Sequence, residues 1–295
     1  MVIMSARLKS VDVVCPLYNA EKYLGGLQAS LLMQEGVSLR QIRYAATVGN
    51  DRTEKILQGL AGKDGKIETV FRMIAPSEFS HSKTREEEIF ASEADVVVLV
   101  TQDVEIRDKE FLRKLVEPIL AGEAEATYAK QITKYDNIEK YTRESNYPAR
   151  SFTVTKADIP KKGLKTFFFS DAAGAVDRAK FVELRGYDGK DLPISEDMYF
   201  AHKLIMSGGR IRYVAEAEVY HSHNFTLAEL YKRYKLTGKF MKMNPEIAEH
   251  GVNSAGGGMA KYIFRRAVEE RNFKVLAKFL PNMGARYLGM KVGRK

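Results

Sequence analysis

DVVVLVTQDVEI, residues Asp95–Ile106, contains the strongest strand signal of the sequence. Its apolar run VVVLV is bounded by polar residues and has the length of a strand buried on both faces, a type common in parallel sheets covered by helices. The polar residues Thr101–Asp103 then leave the sheet at the carboxyl end of that strand. We therefore expect an α/β protein that presents polar side chains beside a central strand.

The residues before this stretch alternate between two periodicities. Apolar runs predict three more strands, at Val11–Cys15 (ended by Pro16), Arg43–Val48 and Ile67–Ile74. Helical spacing predicts three helices between the strands, at Glu21–Gln34, Thr53–Leu60 and Ser82–Ser92. This alternation predicts an open, mostly parallel sheet flanked by helices.

Ligands of open α/β sheets bind beyond the carboxyl ends of the strands. Three polar segments are expected there: Pro16–Asn19, Gly49–Thr53 and Thr101–Asp103. The sequence lacks a G-x-G-x-x-G motif after the first strand and has no G-x-x-x-x-G-K-[ST] motif, which argues against a dehydrogenase and a P-loop nucleotidase. If a diphosphate binds here, a divalent cation held by a carboxylate is the natural way to neutralise it.

The second half of the chain has a different pattern. Phe167–Phe169 predicts an apolar strand that runs into the small-residue loop Ser170–Ala175. Ser195 is a candidate N-cap for a helix over Met198–Ser207. Ile211–Val214 is expected to start a further strand, and the segment Val219–His223, if extended, and a helix that begins at Leu227 complete the body.

Basic residues are concentrated at the C-terminus. The chain has a formal net charge of +9, and Met259–Lys295 alone contains ten Lys or Arg and two Glu, a net charge of +8. The nearly neutral remainder argues against a nucleic-acid binder built around a positive groove. The basic segment also contains many apolar residues, which suits the anionic face of a membrane; the alternative is a helix packed on the core with a solvated basic face.

Composition also indicates a compartment. Cys15 is the single cysteine of the 295 residues, so an internal disulfide is impossible and a reducing compartment is expected. The N-terminus, MVIMSARLKS, lacks the apolar core of a secretory signal, and no apolar run approaches the ~18–20 residues that span a bilayer. We expect a cytoplasmic protein, peripheral at the inner face of the cell membrane.

Four blocks of the sequence resemble a known family in their order along the chain. They are VDVVCPLYNAEKYL (Val11–Leu24), FSHSKTRE (Phe79–Glu86), VVLVTQDVEI (Val97–Ile106) and LPISEDMYFAHKLIMSGGRIRYVAEAEVYHSHNFTLAELYKRY (Leu192–Tyr234). The first resembles family-two glycosyltransferases with the GT-A fold, and the others resemble its bacterial rhamnosyltransferase branch. The resemblance implies a GT-A domain over residues 1–240, with a nucleotide-binding half at about 1–105 and an acceptor-binding half at about 106–240. Residues 241–295 would form a basic helical extension.

The resemblance assigns a metal site to the end of the central strand. Asp103 occupies the position of the family's Asp-x-Asp element, whose first Asp is replaced here by Thr101, and would bind Mg²⁺ or Mn²⁺. His221 and His223 lie on one face if their segment is extended, and either is a candidate metal ligand or diphosphate contact. The alternatives are an Asp that caps a turn and ordinary polar histidines at a strand end.

The resemblance also assigns the catalytic pair. Asp197 would take the proton of the acceptor hydroxyl, and Glu196 would hold the acceptor or orient the loop. The alternative is that both acids merely favour the dipole of a helix's first turn.

The remaining candidates are donor contacts. Nucleotide-sugar binding is expected of Asp103 and of Pro16, Tyr18, Asn19, Asp51, His81, Arg85 and Gln102. Arg85 could instead form a surface ion pair with one of Glu86–Glu88, and Tyr18 could simply pack. The loop Gly49–Glu54 departs from the family's Asp-x-Gly-Ser-Thr-Asp-like pattern, which leaves the nucleobase, thymine or uracil, open.

Together these features predict an inverting, metal-dependent rhamnosyltransferase. Its donor would be dTDP-rhamnose, and its acceptor a saccharide on a polyprenyl diphosphate during cell-surface polysaccharide assembly. One alternative is a UDP-hexose or UDP-N-acetylhexosamine transferase of the same fold, and a more distant one is a non-enzymatic basic binding module. The sequence does not indicate an oligomeric state.

Overall fold

The computed structural model describes residues 9–295, except for the side chain of Asn253. The first eight residues of the domain predicted over residues 1–240 lie outside the described residues. The strands are β1 Val11–Tyr18, β2 Leu39–Thr47, β3 Gly62–Asp64, β4 Ile67–Ile74, β5 Val96–Val100, β6 Ala126–Ile132, β7 Phe152–Val154, β8 Ala173–Asp177 and β9 Ile211–Tyr220. The helices of the body are α1 Glu21–Leu32, α2 Thr53–Leu60, α3 His81–Ala91, α4 Phe111–Leu120, α5 Ile138–Asn146, α6 Ile159–Lys162, α7 Arg178–Glu183, α8 Glu196–Met206 and α9 Leu227–Met243. They are followed by α10 Pro245–Ala248, α11 Val252–Glu269 and α12 Phe273–Arg294.

These strands form a single sheet in the order β3-β4-β2-β1-β5-β8-β6-β9-β7. The pairs β1–β2, β2–β4 and β1–β5 are parallel, which confirms the predicted α/β alternation of the first hundred or so residues. The second half mixes directions: β8 lies antiparallel between β5 and β6, while β6 and β9 are parallel. The pairing of β5 with β8 joins both halves of the chain into one continuous sheet.

The sheet is covered on both faces. Alternate residues of β1 face opposite sides: Val13 packs in the cluster formed with α1 and α4, and Val14 packs in the cluster formed with α3 and α8. Every residue of β5 is buried, as expected for a central strand between two helical layers.

Three predicted elements are wrong in detail. Pro16 does not end the first strand, which continues to Tyr18. Beyond Val14, β1 pairs only with β2, so the missing N–H of Pro16 breaks no second ladder. Phe167–Phe169 is not a strand either: a 3₁₀ turn ends at Phe167, and the strand is the following small-residue segment β8.

The third correction concerns Val219–His223. Its first residues belong to the long strand β9, and the two histidines lie just beyond its end. Ser195 does precede α8, but its φ is 63° and its side chain makes no capping hydrogen bond.

The C-terminal helices are anchored on the body. Helix α12 crosses α9 so closely that a Cβ on Gly293 would lie 2.9 Å from the Cα of Gly238 and 2.1 Å from the carbonyl oxygen of Lys235. The buried Arg286 of α12 pairs with Glu139 of α5 at 2.8 Å. One side of the basic extension is therefore packed on the core. Among residues 9–295, no helix is long and apolar enough to cross a membrane.

Candidate active site

The three polar segments meet at the carboxyl edge of the parallel strands, as predicted. The Gln102 side chain accepts a hydrogen bond from the Tyr18 N–H at 2.8 Å and donates one to the Tyr18 carbonyl at 3.0 Å, which ties the ends of β1 and β5 together. Asn19 accepts a hydrogen bond from the Asn50 N–H at 3.0 Å. A Cβ on Gly49 would lie 2.1 Å from the Asn19 side-chain oxygen, so this contact requires glycine.

Asp51 connects two backbone segments at this edge. One carboxylate oxygen accepts the N–H of Glu21 at 3.0 Å, and the other accepts the N–H of Thr53 at 2.9 Å, which connects the first turns of α1 and α2. Burial opposes ionisation of Asp51, but these hydrogen bonds outweigh it and lower its pKa. We call the polar edge formed by Tyr18, Asn19, Asp51 and Gln102 the rim.

Asp103, His221 and His223 form a compact cluster beside the rim. An antiparallel bridge between Glu105 and Tyr220 brings the end of β9 against the segment after β5, which places the two histidines over Asp103. One ligand atom from each of the three side chains lies within 4.8 Å of the other two. The Asp103 carboxylate is 3.5 Å from His221 Nε2 and 4.0 Å from His223 Nδ1.

Hydrogen bonding orients His221 for metal ligation. The side-chain oxygen of Gln131 accepts a hydrogen bond from Arg143 and lies 2.8 Å from His221 Nδ1. Because that oxygen can only accept, it would hold the proton on Nδ1 and leave the Nε2 lone pair free when a cation binds. This is the arrangement of a histidine that ligates a metal through Nε2.

The protonation states of the cluster also fit a cation. Burial lowers the pKa of both histidines, that of His223 to about 3. Burial opposes ionisation of Asp103, yet contact with the histidines lowers its pKa to about 2. Neutral imidazoles and an ionised carboxylate are the forms that bind divalent metals. The residues present therefore fit a divalent cation.

A second group of charges lies where α8 begins and includes Glu196 and Asp197, whose catalytic roles stay a prediction. Glu196 is buried and accepts a hydrogen bond from Arg85 at 3.1 Å. Asp197 is only half-buried, so solvent or a substrate can reach it. Burial, reinforced by the charges of Asp171 and Glu196, raises the pKa of Asp197 well above its usual range.

Arg85 does not lie at the protein surface, where the alternative ion pair would have placed it. It is buried, and its guanidinium also donates to the His81 carbonyl at 2.9 Å. The alternative, a surface ion pair with one of Glu86–Glu88, is not formed: Glu86 accepts backbone N–H groups of Tyr187 and Gly189, and Glu88 pairs with Arg43 and Arg72. A donor contact by Arg85 stays a prediction.

The other predicted donor residues border this region. Tyr18 is 57% exposed at the tip of β1, where its ring faces solvent rather than packing in the core. His81 is the first residue of α3 and stacks edge-to-face on Phe79 with ring centroids 5.0 Å apart. Pro16 lies within β1, two residues before Tyr18.

Sequence reasoning missed Asp171, Gln131 and Arg143. Asp171 is buried 3.7 Å from the Arg85 guanidinium, in what the sequence showed only as a small-residue loop. Gln131 and Arg143 sit on β6 and α5, and neither carries a spacing signal. A charged residue two positions after three aromatic residues was the one available hint for Asp171.

Comparisons with known proteins show the family of the chain. Residues 12–185 match the family described as Glycosyl transferase family 2. The chain is 30% identical to "O-antigen chain rhamnosyltransferase RfbN" of Salmonella typhimurium, over 96% of this chain and 89% of that protein. It is 32% identical to "O-antigen chain rhamnosyltransferase WbaN" of Salmonella anatum, over 75% of this chain and 71% of that protein.

Solved structures confirm the fold. The structure of S. aureus TarS 1-349 in complex with UDP-GlcNAc superposes with a TM-score of 0.58 at 15% identity, covering 97% of this chain and 91% of that one. A longer TarS chain gives the same TM-score, and this protein spans 40% of its length. The predicted resemblance to family-two rhamnosyltransferases and the predicted fold are thereby confirmed. The chain belongs to glycosyl transferase family 2 and is a glycosyltransferase.

Proposed function

We propose that this protein transfers L-rhamnose from dTDP-rhamnose to a saccharide carried on a polyprenyl diphosphate, with inversion at the anomeric carbon. The observation that carries the proposal is the meeting of three groups at one sheet edge: the rim, the cluster Asp103–His221–His223, and the pair Glu196–Asp197. The choice of sugar is supported by the names of the two Salmonella relatives.

The half-buried Asp197 suits the role of general base. Its raised pKa makes it a stronger base than an ordinary carboxylate, and its partial exposure lets an acceptor hydroxyl approach. Glu196 is held by Arg85 and would keep the start of α8 in place rather than act as the base. The acceptor oxygen would bond to the anomeric carbon as the bond from that carbon to the diphosphate breaks.

Asp103, His221 and His223 would hold the divalent cation. When bound, the cation supplies positive charge that stabilises the departing diphosphate. Two imidazoles are softer ligands than Mg²⁺ prefers, so we expect Mn²⁺ to support activity better than Mg²⁺. The rim, in the half of the domain at about 1–105, would receive the nucleotide, and the half at about 106–240 the acceptor.

The outer side of the C-terminal helices supports contact with a membrane surface. Phe273, Leu280 and Tyr287 follow each other at seven-residue spacing on α12 and are 74%, 77% and 64% exposed. Exposed Lys274, Lys278 and Lys291 lie on the same helix, so apolar and basic side chains alternate over one outward surface. This combination matches the anionic inner face of a cell membrane, where a lipid-linked acceptor would reside.

The donor assignment is tested by a donor screen with the purified full chain and Mn²⁺. Thermal shift and nucleotide release are measured for dTDP-rhamnose, UDP-glucose and UDP-N-acetylglucosamine. We expect dTDP-rhamnose to raise the melting temperature and to be consumed with a lipid-linked acceptor, because a ligand that binds only the folded state stabilises it. Turnover of a UDP-sugar with no use of dTDP-rhamnose would establish the alternative donor.

The metal assignment is tested with Asp103→Asn and His223→Gln. Both should weaken Mn²⁺ binding in a calorimetric titration, and EDTA should remove donor turnover from the wild type. Asp108→Asn, in a surface loop where Asp108 pairs with Lys114, is the matched control. Unchanged Mn²⁺ affinity in both cluster variants would exclude this site.

The membrane assignment is tested by co-sedimentation with phosphatidylglycerol vesicles. Because α12 packs on α9, substitutions on its outer side are cleaner than deletion of residues 259–295. We expect Phe273→Ser combined with Leu280→Ser to reduce vesicle binding about tenfold or more, since each buried large apolar side chain contributes about 1.5–3 kcal/mol. Met33→Ser combined with Val182→Ser, at exposed apolar residues of the body, should bind like the wild type.

A further inference from the structure

Asp171 is a buried carboxyl group with no role in the reaction outlined above. It lies just before β8 and is 3% exposed. The Tyr187 hydroxyl donates to one of its oxygens at 2.9 Å, and Arg85 Nε is 3.7 Å from the same oxygen. Its other oxygen and Arg85 Nε are buried without a hydrogen-bond partner among the described residues.

One cation, Arg85, lies among three acidic side chains, Asp171, Glu196 and Asp197. Arg85 contacts Glu196 at 3.1 Å and Asp171 at 3.7 Å, and Asp197 follows Glu196 directly in α8. If all three carboxyl groups were ionised, the group would carry two uncompensated negative charges, and two of the acids, Asp171 and Glu196, are buried. Like charges at short range disfavour each other's ionised form, so such a group retains a proton more firmly than isolated acids do.

The charged groups around Asp197 come from several elements. Asp171 comes from the loop before β8 and Glu196 from α8 itself, while Arg85 of α3 opposes their negative charge. His81, at the start of α3, has Glu196, Arg85, Asp191 and Arg233 as its charged neighbours. Tyr147, after α5, is a buried phenol whose pKa burial raises. Asp171 is therefore a main source of negative potential at Asp197 from outside α8.

We propose that Asp171 is a positioning residue for the transfer reaction: it shares Arg85 with Glu196, and its negative charge keeps Asp197 basic enough to accept the acceptor's proton. This inference deepens the proposed function and rests on its assignment of Asp197 as the base. In the step concerned, the acceptor O–H bond breaks and its proton moves to the Asp197 carboxylate. The acceptor oxygen forms the new bond to the anomeric carbon, and the diphosphate leaves with the electron pair of the old one.

Burial and neighbouring charge act in the same direction on both acids. Burial raises the pKa of Asp171, although Arg85 opposes the shift, and burial together with Asp171 raises that of Asp197. A base is most effective when its pKa lies near the working pH. Asp171 would therefore affect the reaction without touching either substrate.

The test is a pH titration of the full chain labelled with ¹³C at the aspartate carboxyl carbons, followed by NMR. Asp197 and Asp171 resonances are assigned by their loss in Asp197→Asn and Asp171→Asn. In the wild type we expect both to titrate above the usual aspartate range. In Asp171→Asn, the midpoint of Asp197 should fall by about one pH unit or more.

Asp188→Asn is the matched control, because Asp188 pairs with Lys203 outside this group and its loss should leave the Asp197 midpoint unchanged. An unaltered midpoint in Asp171→Asn overturns the proposal. If that variant does not fold, Asp171→Ser replaces it. If neither folds, independent single-site titration of the two acids in the wild type overturns the proposal and mutually dependent titration supports it.

This measurement needs neither donor nor acceptor, so its failure is distinct from failure of the proposed transfer. Where transfer is measurable, the acid limb of the kcat/KM profile should move to lower pH in Asp171→Asn. A residue that only holds Arg85 in place would lower the rate without moving that limb.

Discussion

The rim and the carboxylate group, by which we mean the side chains of Asp171, Glu196 and Asp197 around Arg85, are neighbouring parts of one site held together by different kinds of contact. Rim side chains such as Gln102 and Asp51 bond to backbone groups of adjacent segments and stay near solvent. Around Arg85, by contrast, ionisable side chains contact each other in a buried space, and two polar atoms have no hydrogen-bond partner within residues 9–295. The rim side chains therefore fix the backbone of adjacent segments, whereas the carboxylate group concentrates negative charge around one cation.

The two regions differ in the free energy that is lost when one of their contacts is removed. A hydrogen bond of the rim type contributes about 0.5–1.5 kcal/mol, because water replaces it when it is lost. Removing one partner from a buried ion pair costs about 3–5 kcal/mol, because the other charge stays buried. Substitutions in the carboxylate group should therefore change rate, proton affinity and stability, whereas substitutions in the rim should change donor affinity.

The largest effect is expected at Asp197. Asp197→Asn removes the proposed base and should lower kcat by about 10²- to 10⁴-fold, the usual contribution of a general base. Donor affinity, measured by calorimetry with Mn²⁺, should stay close to that of the wild type because the rim is untouched. Asp188→Asn should retain wild-type kcat, and full activity of Asp197→Asn would remove the base assignment.

Arg85 allows a direct comparison of stability between the two regions. Arg85→Met should lower the free energy of unfolding by about 3–5 kcal/mol, because Glu196 and Asp171 are left without their cation. Arg52→Met, next to the rim residue Asp51, breaks an ion pair with Glu21 in which Arg52 is 76% exposed, and should change the free energy of unfolding by less than about 1 kcal/mol. Equal losses in urea unfolding would show that burial does not distinguish the regions.

A smaller effect concerns the pH dependence of stability. Asp171 and Asp197 have raised pKa values in the folded protein, so the folded state binds their protons more tightly than the unfolded state does. The stability they contribute is present at low pH and is lost as the pH rises through the raised values. Asp171→Asn should lose less stability than the wild type between about pH 5 and 8, by on the order of 1–2 kcal/mol. A parallel pair of pH curves in urea unfolding would contradict this.

The smallest effect is expected at Gln102. Gln102→Ala removes both hydrogen bonds to Tyr18 and should raise the donor KM about two- to tenfold, in line with the loss of about 0.5–1.5 kcal/mol. The kcat should stay within about twofold of the wild type. A drop in kcat with unchanged KM would mean that the rim takes part in the chemistry.

Local patterns predicted well where contacts are local. The helix Thr53–Leu60 and the strand Ile67–Ile74 have their predicted bounds. The helix buries Thr53 and Leu57 at helical spacing, and the strand is a short, mostly apolar run. Phe167–Phe169 failed because three aromatic residues can pack equally well in a turn that a neighbouring helix covers. Here the aromatic ring of Phe167 packs against His202 of α8 rather than in the sheet.

By itself, the sequence determined the α/β alternation, the polar edge of the sheet and the ordered blocks of a family, since all of these lie in short-range periodicity and motif spacing. Only the tertiary structure decided that His221 and His223 stand over Asp103 and that Asp171 joins Arg85 beside Glu196. Arg85 and Glu196 are 111 residues apart in the chain, and no pattern along the sequence specifies which distant charges will share one buried space. That choice is made when the strands pair, because the β5–β8 pairing carries Asp171 to the site and the Glu105–Tyr220 bridge carries the histidines.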